Sequence, residues 1–180
     1  VTLTGASGGT ITVDLVTADG TATAAGADYT ATTGTVTFVP GDTAETFSVS
    51  TTEDAIDEPD ETLTLSATSS TGVIGDTSDT GTGTIVDDDA APTVTIGDVS
   101  VDEGGDLVFE VSLSNPSSGH IELTVSAVDV TATSGTDYAG GPYTVSIPAG
   151  DTSATLTIAT VDDVIDEVDE TLTVSLLPLR

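Results

Sequence analysis

The acidic run Asp162-Asp163-Val164-Ile165-Asp166-Glu167-Val168-Asp169-Glu170 leads straight into Thr171-Leu172-Thr173-Val174-Ser175-Leu176. The same phrase occurs earlier, as Glu53-Asp54-Ala55-Ile56-Asp57-Glu58-Pro59-Asp60-Glu61 followed by Thr62-Leu63-Thr64-Leu65. In both places the second part alternates apolar with polar residues, the period of a strand with one buried face. The first part is too dense in carboxylates to be buried and reads as a loop. A loop-and-strand phrase written twice predicts two copies of one unit.

Working outward, the repeat extends over most of the chain. Val1-Thr2-Leu3-Thr4 corresponds to Val111-Ser112-Leu113-Ser114, Thr21-Ala22-Thr23 to Thr131-Ala132-Thr133, and Asp28-Tyr29 to Asp137-Tyr138. Gly41-Asp42-Thr43 corresponds to Gly150-Asp151-Thr152. Period-two alternation recurs at Leu107, Phe109, Val111 and Leu113, at Ile121, Leu123 and Val125, and at Leu156 and Ile158. Between these stand turn formers: Asp19-Gly20, Pro40-Gly41-Asp42, Asn115-Pro116 and Ala149-Gly150-Asp151. No stretch sustains a helical period. Joining the parts seen in one copy only gives about seven strands, the number in an immunoglobulin-like sandwich. The expected fold is therefore all-β: two tandem immunoglobulin-like antiparallel β-sandwiches, over residues 1–90 and 91–180. Copy one is expected to lack its first strand and copy two its last, as in a stretch cut from a longer tandem array. Asp89-Ala90-Ala91-Pro92 is a short linker whose proline restricts the chain.

Composition narrows the chemistry. The 180 residues hold 31 acids against one basic residue, Arg180, for a formal net charge of −30. Phosphate recognition needs Lys or Arg, so nucleic acid and anionic membrane surfaces are excluded as partners. Without cysteine there is no disulfide, thiolate zinc site or cysteine nucleophile. The apolar runs are too short to span a bilayer, and no signal-peptide pattern is seen. Low hydrophobicity with high charge would mean disorder, but 37% hydrophobic residues, mostly aliphatic, together with abundant threonine, is a β-sheet composition. Aromatics at 3% predict thin aliphatic cores.

The repeated acidic loop is the sharpest chemical signal. Unit charges about 5 Å apart repel by on the order of 3 kcal/mol per pair at an effective dielectric near 20. Such a loop strains the fold unless a cation occupies it. Calcium suits it best, taking roughly six to eight hard oxygen ligands in irregular geometry, whereas magnesium holds its waters in an octahedron. Zinc would call for more than the single His120. The competing explanation is a solvated acidic face, as is common for charge runs. Against it stand the identical spacing in both copies and a further run, Asp87-Asp88-Asp89, after the last strand of copy one. Neither the EF-hand loop nor the glycine-rich nonapeptide is present, so a calcium site here is assembled from separate loops.

Four separated motifs in copy two, Val99-Ser100-Val101-Asp102-Glu103-Gly104-Gly105, Gly135-Thr136-Asp137-Tyr138, Gly150-Asp151 and Asp162-Asp163-Val164-Ile165-Asp166-Glu167-Val168-Asp169-Glu170-Thr171-Leu172, resemble the Calx-β repeat, and a fifth closes copy one. Copy one matches through Gly26-Ala27-Asp28-Tyr29, Gly41-Asp42, the Glu53–Leu63 stretch and Gly83-Thr84-Ile85-Val86-Asp87-Asp88-Asp89. The resemblance implies a seven-strand sandwich with calcium at one end, among loops near the junction with the next unit. Carried over by position, it implies ligands Asp28, Glu53, Asp54, Glu58, Glu61, Asp87, Asp88 and Asp89 in copy one, with the Ile56 carbonyl. In copy two it implies Glu103, Asp137, Asp162, Asp163, Glu167 and Glu170, with the Ile165 carbonyl. Copy one lacks the acid of the first strand and copy two lacks the closing Asp triplet.

Other candidates carry less. His120 has no counterpart in copy one, where Thr10 stands, and reads as a loop histidine. Asp79-Thr80-Gly81 spells the aspartic-protease tripeptide once only, whereas that chemistry needs two carboxylates sharing a proton; it reads as a turn before a strand. Tyr29 and Tyr138 read as sandwich-corner tyrosines. Paired carboxylates could serve a glycosidase, but a general acid must stay protonated and this loop is too charged. The expectation is a non-enzymatic, calcium-bound structural or spacer module of an extracellular or cell-surface protein, with neighbouring repeats or identical subunits as partners. Two alternatives stand beside it: a subunit of a filament built by head-to-tail strand complementation, and a calcium-sensing regulatory pair like those of sodium–calcium exchangers.

Overall fold

A computed structural model of the chain describes residues 1–72 and 79–177. Every regular element among these is a strand, and every strand pairing is antiparallel. The chain divides into two compact units, Val1–Asp54 with Pro59–Asp88, and Ala55–Glu58 with Asp89–Arg180.

In the first unit a four-stranded sheet has the order β2-β1-β3-β4, from β1 (Ile11–Asp19), β2 (Thr33–Phe38), β3 (Glu61–Thr71) and β4 (Thr80–Ile85). β1 turns Ile11, Val13, Leu15 and Thr17 inward on alternate positions and exposes Asp14 and Ala18. Its register places Ile11 opposite Phe38 and Val13 opposite Val36, so the buried residues of neighbouring strands coincide. A second layer is sketched by Val1–Leu3 running antiparallel to Thr43–Glu45, with Leu3 N–H donating to Thr43 O (2.9 Å) and Glu45 N–H to Val1 O (2.9 Å). Leu3 and Phe47 cover the cluster Ile11, Val13, Leu15, Val36 and Phe38.

In the second unit two three-stranded sheets face each other. One sheet has the order β5-β6-β9, from β5 (Val94–Ile96), β6 (Asp106–Leu113) and β9 (Ser153–Ala159). The other has the order β10-β7-β8, from β7 (Ile121–Asp129), β8 (Tyr143–Ile147) and β10 (Leu172–Leu176). Phe109, Val111, Leu113, Leu156 and Ile158 of the first sheet meet Val125, Val145 and Ile147 of the second in one buried cluster. The core is mainly aliphatic, with Phe109 and Tyr138 as its buried aromatic members.

Candidate metal centre

The site in the second unit is built from the loop that follows β7. That strand ends at Asp129, whose Oδ1 accepts the Ser134 N–H (2.9 Å) and the Tyr138 hydroxyl (2.5 Å). The Tyr138 ring is 1% exposed and anchors the loop in the core. Between these fixed points the chain turns through Gly135 at φ 93°, in the left-handed region glycine favours. Asp137 N–H donates to Thr133 O (3.0 Å), and Asp137 Oδ2 accepts the Thr133 N–H (2.6 Å).

Two further segments are tied to this loop. Val161 N–H donates to Asp137 O (3.0 Å), which sets the start of the acidic run, Asp162 and Asp163, beside it. Thr160 donates through N–H (3.0 Å) and Oγ1 (2.8 Å) to Gly105 O, bringing in the turn that carries Glu103. At Gly104, φ 77°, a Cβ would stand 2.7 Å from the Asp162 Cβ, so only glycine lets the turn pass so close. Within the acidic loop, Ile165 N–H donates to Asp163 Oδ1 (2.7 Å).

The result is a concentration of carboxylates. Asp137, Glu167 and Glu170 each offer an oxygen within 4.8 Å of the others. Desolvation, then the charges of Asp163, Glu167, Asp162 and Asp137, push the Glu103 carboxyl above its ordinary range. Desolvation, then Asp137, with Glu167 and Glu103 adding, does the same to Glu170. Glu103 and Glu170 therefore each feel several of the other acids singled out for this copy. Ile165 is exposed in the same loop.

In the first copy Asp28 and Glu61 come together likewise, with oxygens within 4.8 Å of each other. Desolvation and then the charge of Asp28 raise Glu61. Asp28 O accepts the Thr52 N–H (3.0 Å), placing Glu53 and Asp54 next along the chain, with Ile56 beyond them. Asp87, Asp88 and Asp89 follow β4, where the Asp87 N–H donates to Asp60 Oδ1 (3.2 Å). Glu53, Asp54 and the Asp87–Asp89 run lie outside the tight group.

Two residues of these loops escaped the sequence reading, Asp19 and Asp129. Asp19 reads locally as part of an Asp-Gly turn, and the sandwich-corner reading of the tyrosines names no partner. Tyr29 donates to Asp19 Oδ1 (2.6 Å), just as Tyr138 donates to Asp129. The available signal was an aspartate at the same place in both copies. His120 is exposed just before β7, as its loop reading anticipated, whereas Thr80 and Gly81 are not in a turn but open β4, with Asp79 Oδ1 accepting the Thr80 N–H (2.9 Å).

The donor set suits one kind of ligand. The clustered side chains are oxygen acceptors, and the described residues include no Lys or Arg to neutralise them. A hard cation fits such a set, whereas zinc or another borderline metal would look for nitrogen or sulfur.

The Calx-beta domain profile matches the chain twice, at residues 1–89 and 87–179. Among curated protein sequences none matches. Two solved structures are similar: CBD12 from CALX1.2, at 20% identity over 97% of this chain and 70% of that one with a TM-score of 0.43, and the calcium binding domain CBD12 of CALX1.1, at 19% identity over 97% and 69% with a TM-score of 0.44.

Proposed function

The chain belongs to the Calx-beta domain family, as two tandem copies, and from that premise we propose that it is a calcium-stabilised structural pair working in an extracellular or cell-surface protein rather than an enzyme. The observation that carries the calcium reading is the carboxylate group of the second unit. Glu103, Asp137, Asp162, Asp163, Glu167 and Glu170 come from three separate loops, where desolvation first, and then the charge of neighbouring acids, raises Glu103 and Glu170. A divalent cation offsets that repulsion, and the oxygens of Asp137, Glu167 and Glu170 are close enough to share one ion. In the first copy Asp28 and Glu61 would do the same. Bound calcium would hold loops from separate strands together and so stiffen the end of each sandwich. The surface setting is supported by composition: a cysteine-free, lysine-free chain of net charge −30 is kept soluble by self-repulsion and meets millimolar calcium outside the cell.

Calorimetric titration of the chelator-stripped protein tests this. Calcium is expected to bind and raise the melting temperature, with magnesium much weaker. An identical melting curve in EDTA and in millimolar calcium would refute the metal site. Affinity separates the two roles open to the family resemblance: a dissociation constant of roughly 10⁻⁴ to 10⁻³ M fits a structural site outside the cell, and roughly 10⁻⁷ to 10⁻⁵ M fits a sensor.

A further inference from the structure

The loops that carry Asp28 and Asp137 are fastened by the same set of bonds in both units, although their sequences differ. In the first, Asp19 Oδ1 accepts the Ala24 N–H (3.0 Å) and the Tyr29 hydroxyl (2.6 Å). In the second, Asp129 Oδ1 accepts the Ser134 N–H (2.9 Å) and the Tyr138 hydroxyl (2.5 Å). Each aspartate closes its strand: Asp19 is the last residue of β1 and Asp129 the last of β7. Each tyrosine is buried, at 3% and 1% exposure, and makes a bridge to the segment before the acidic loop, Tyr29 to Thr51 and Tyr138 to Thr160. The residue just before each tyrosine is the candidate ligand. Its Oδ2 accepts an N–H one residue from the clamped one, Thr23 for Asp28 (2.6 Å) and Thr133 for Asp137 (2.6 Å).

Resting on the calcium reading above, we infer that Asp19–Tyr29 and Asp129–Tyr138 are positioning pairs, which hold the carboxylates of Asp28 and Asp137 in place for the ion without touching it. The physical argument runs through freedom. An aspartate on a surface loop samples several rotamers, and binding must order it. Here one carboxylate oxygen is already engaged with a backbone N–H inside a loop pinned at both ends, so the carboxylate that joins the acidic group has little freedom left to lose. A hydroxyl bonded to a carboxylate is among the stronger hydrogen bonds, which suits it to that task. Such outer partners are worth on the order of tenfold to a hundredfold in metal affinity.

The experiment uses the whole chain and the variants Y29F and Y138F, which remove one oxygen from each ring and leave the rings to fill the core. Calcium is titrated while amide NMR shifts of Thr23 and Thr133 report each copy separately. Y138F is expected to weaken calcium on the order of tenfold at Thr133 and leave Thr23 unchanged, with Y29F doing the converse. D129N keeps an acceptor oxygen for the phenol but loses its charge, so its loss should be smaller than that of Y138F. A Y138F protein that is less stable in EDTA yet binds calcium with wild-type affinity would overturn the inference, because the pair would then serve folding alone. Failure of the wild-type chain to bind calcium would instead overturn the calcium reading on which it stands.

Discussion

Tyr138 is a phenol held against a carboxylate. The Asp129 bond first, then desolvation, push its ionisation from 10.0 up to about 12. Tyr29 is raised chiefly by its bond to Asp19, and Tyr143 by desolvation. These are all three tyrosines of the chain. Spectrophotometric titration of the native protein should therefore show no normal phenol, whereas in denaturant all should ionise near 10. A folded-state value above the unfolded one means that the Tyr138 bond contributes its full stability below pH 10 and loses it as pH rises through about 12. A native tyrosine titrating at the unfolded value would remove this account. Glu170 makes a second prediction at this scale, because desolvation and then the like charges of Asp137, Glu167 and Glu103 raise it. Glu170→Gln should raise the melting temperature in EDTA by relieving repulsion and reduce the rise that calcium produces. Loss of stability in both conditions would contradict the crowding argument.

At the scale of elements, β1 shows how the first unit is held. It is central, paired with β2 on one side and β3 on the other. Its register to β3 shifts between Asp14 and Leu15, a bulge that adds twist where the sheet must wrap its core. Thr17 is the buried polar residue of the strand, 8% exposed. Its Oγ1 accepts the Thr32 N–H (2.9 Å) and donates to Thr32 O (3.3 Å), closing the entry to β2. Thr17→Val keeps the shape but takes away the partner of the Thr32 N–H. It should cost about 1–3 kcal/mol, the usual penalty for an unsatisfied group, read as a lower denaturation midpoint of the first unit. No change would mean that water replaces the hydroxyl freely. In the loop after β1, Ala27 sits at φ 72°, a conformation costing a non-glycine residue about 1–2 kcal/mol. It stands beside Asp28, so the strain is carried next to the candidate ligand.

For the molecule as a whole, charge is the dominant fact. At −30 with one basic residue, self-repulsion opposes every compact state. Monovalent salt screens it generally, with a Debye length of about 10 Å at 0.1 M, whereas bound calcium acts at particular loops. In EDTA, added sodium chloride should raise the melting temperature gradually. Calcium at the same ionic strength should add a larger step, about 2.7 kcal/mol per site when present at a hundred times its dissociation constant. Equal effects of calcium and ionic-strength-matched salt would reduce the acidic loops to a solvated surface.

The repeat, the all-β class and most inward positions could be read from sequence, because a strand's side chains alternate strictly and the alternation survives without neighbours. Val111, Val125, Leu156 and Ile158, picked out by period two, are all buried. The acidic loops were equally legible, since their spacing recurs along the chain. What only the tertiary structure decided is which acids meet. Asp137 joins Glu167 and Glu170 because Val161 N–H reaches Asp137 O across two loops, and no local pattern encodes that bond. The Asp19–Tyr29 and Asp129–Tyr138 pairs were hidden for the same reason. An aspartate before a turn looks alike whether it meets water or a buried phenol, and only packing the strand end over the core brings the two together.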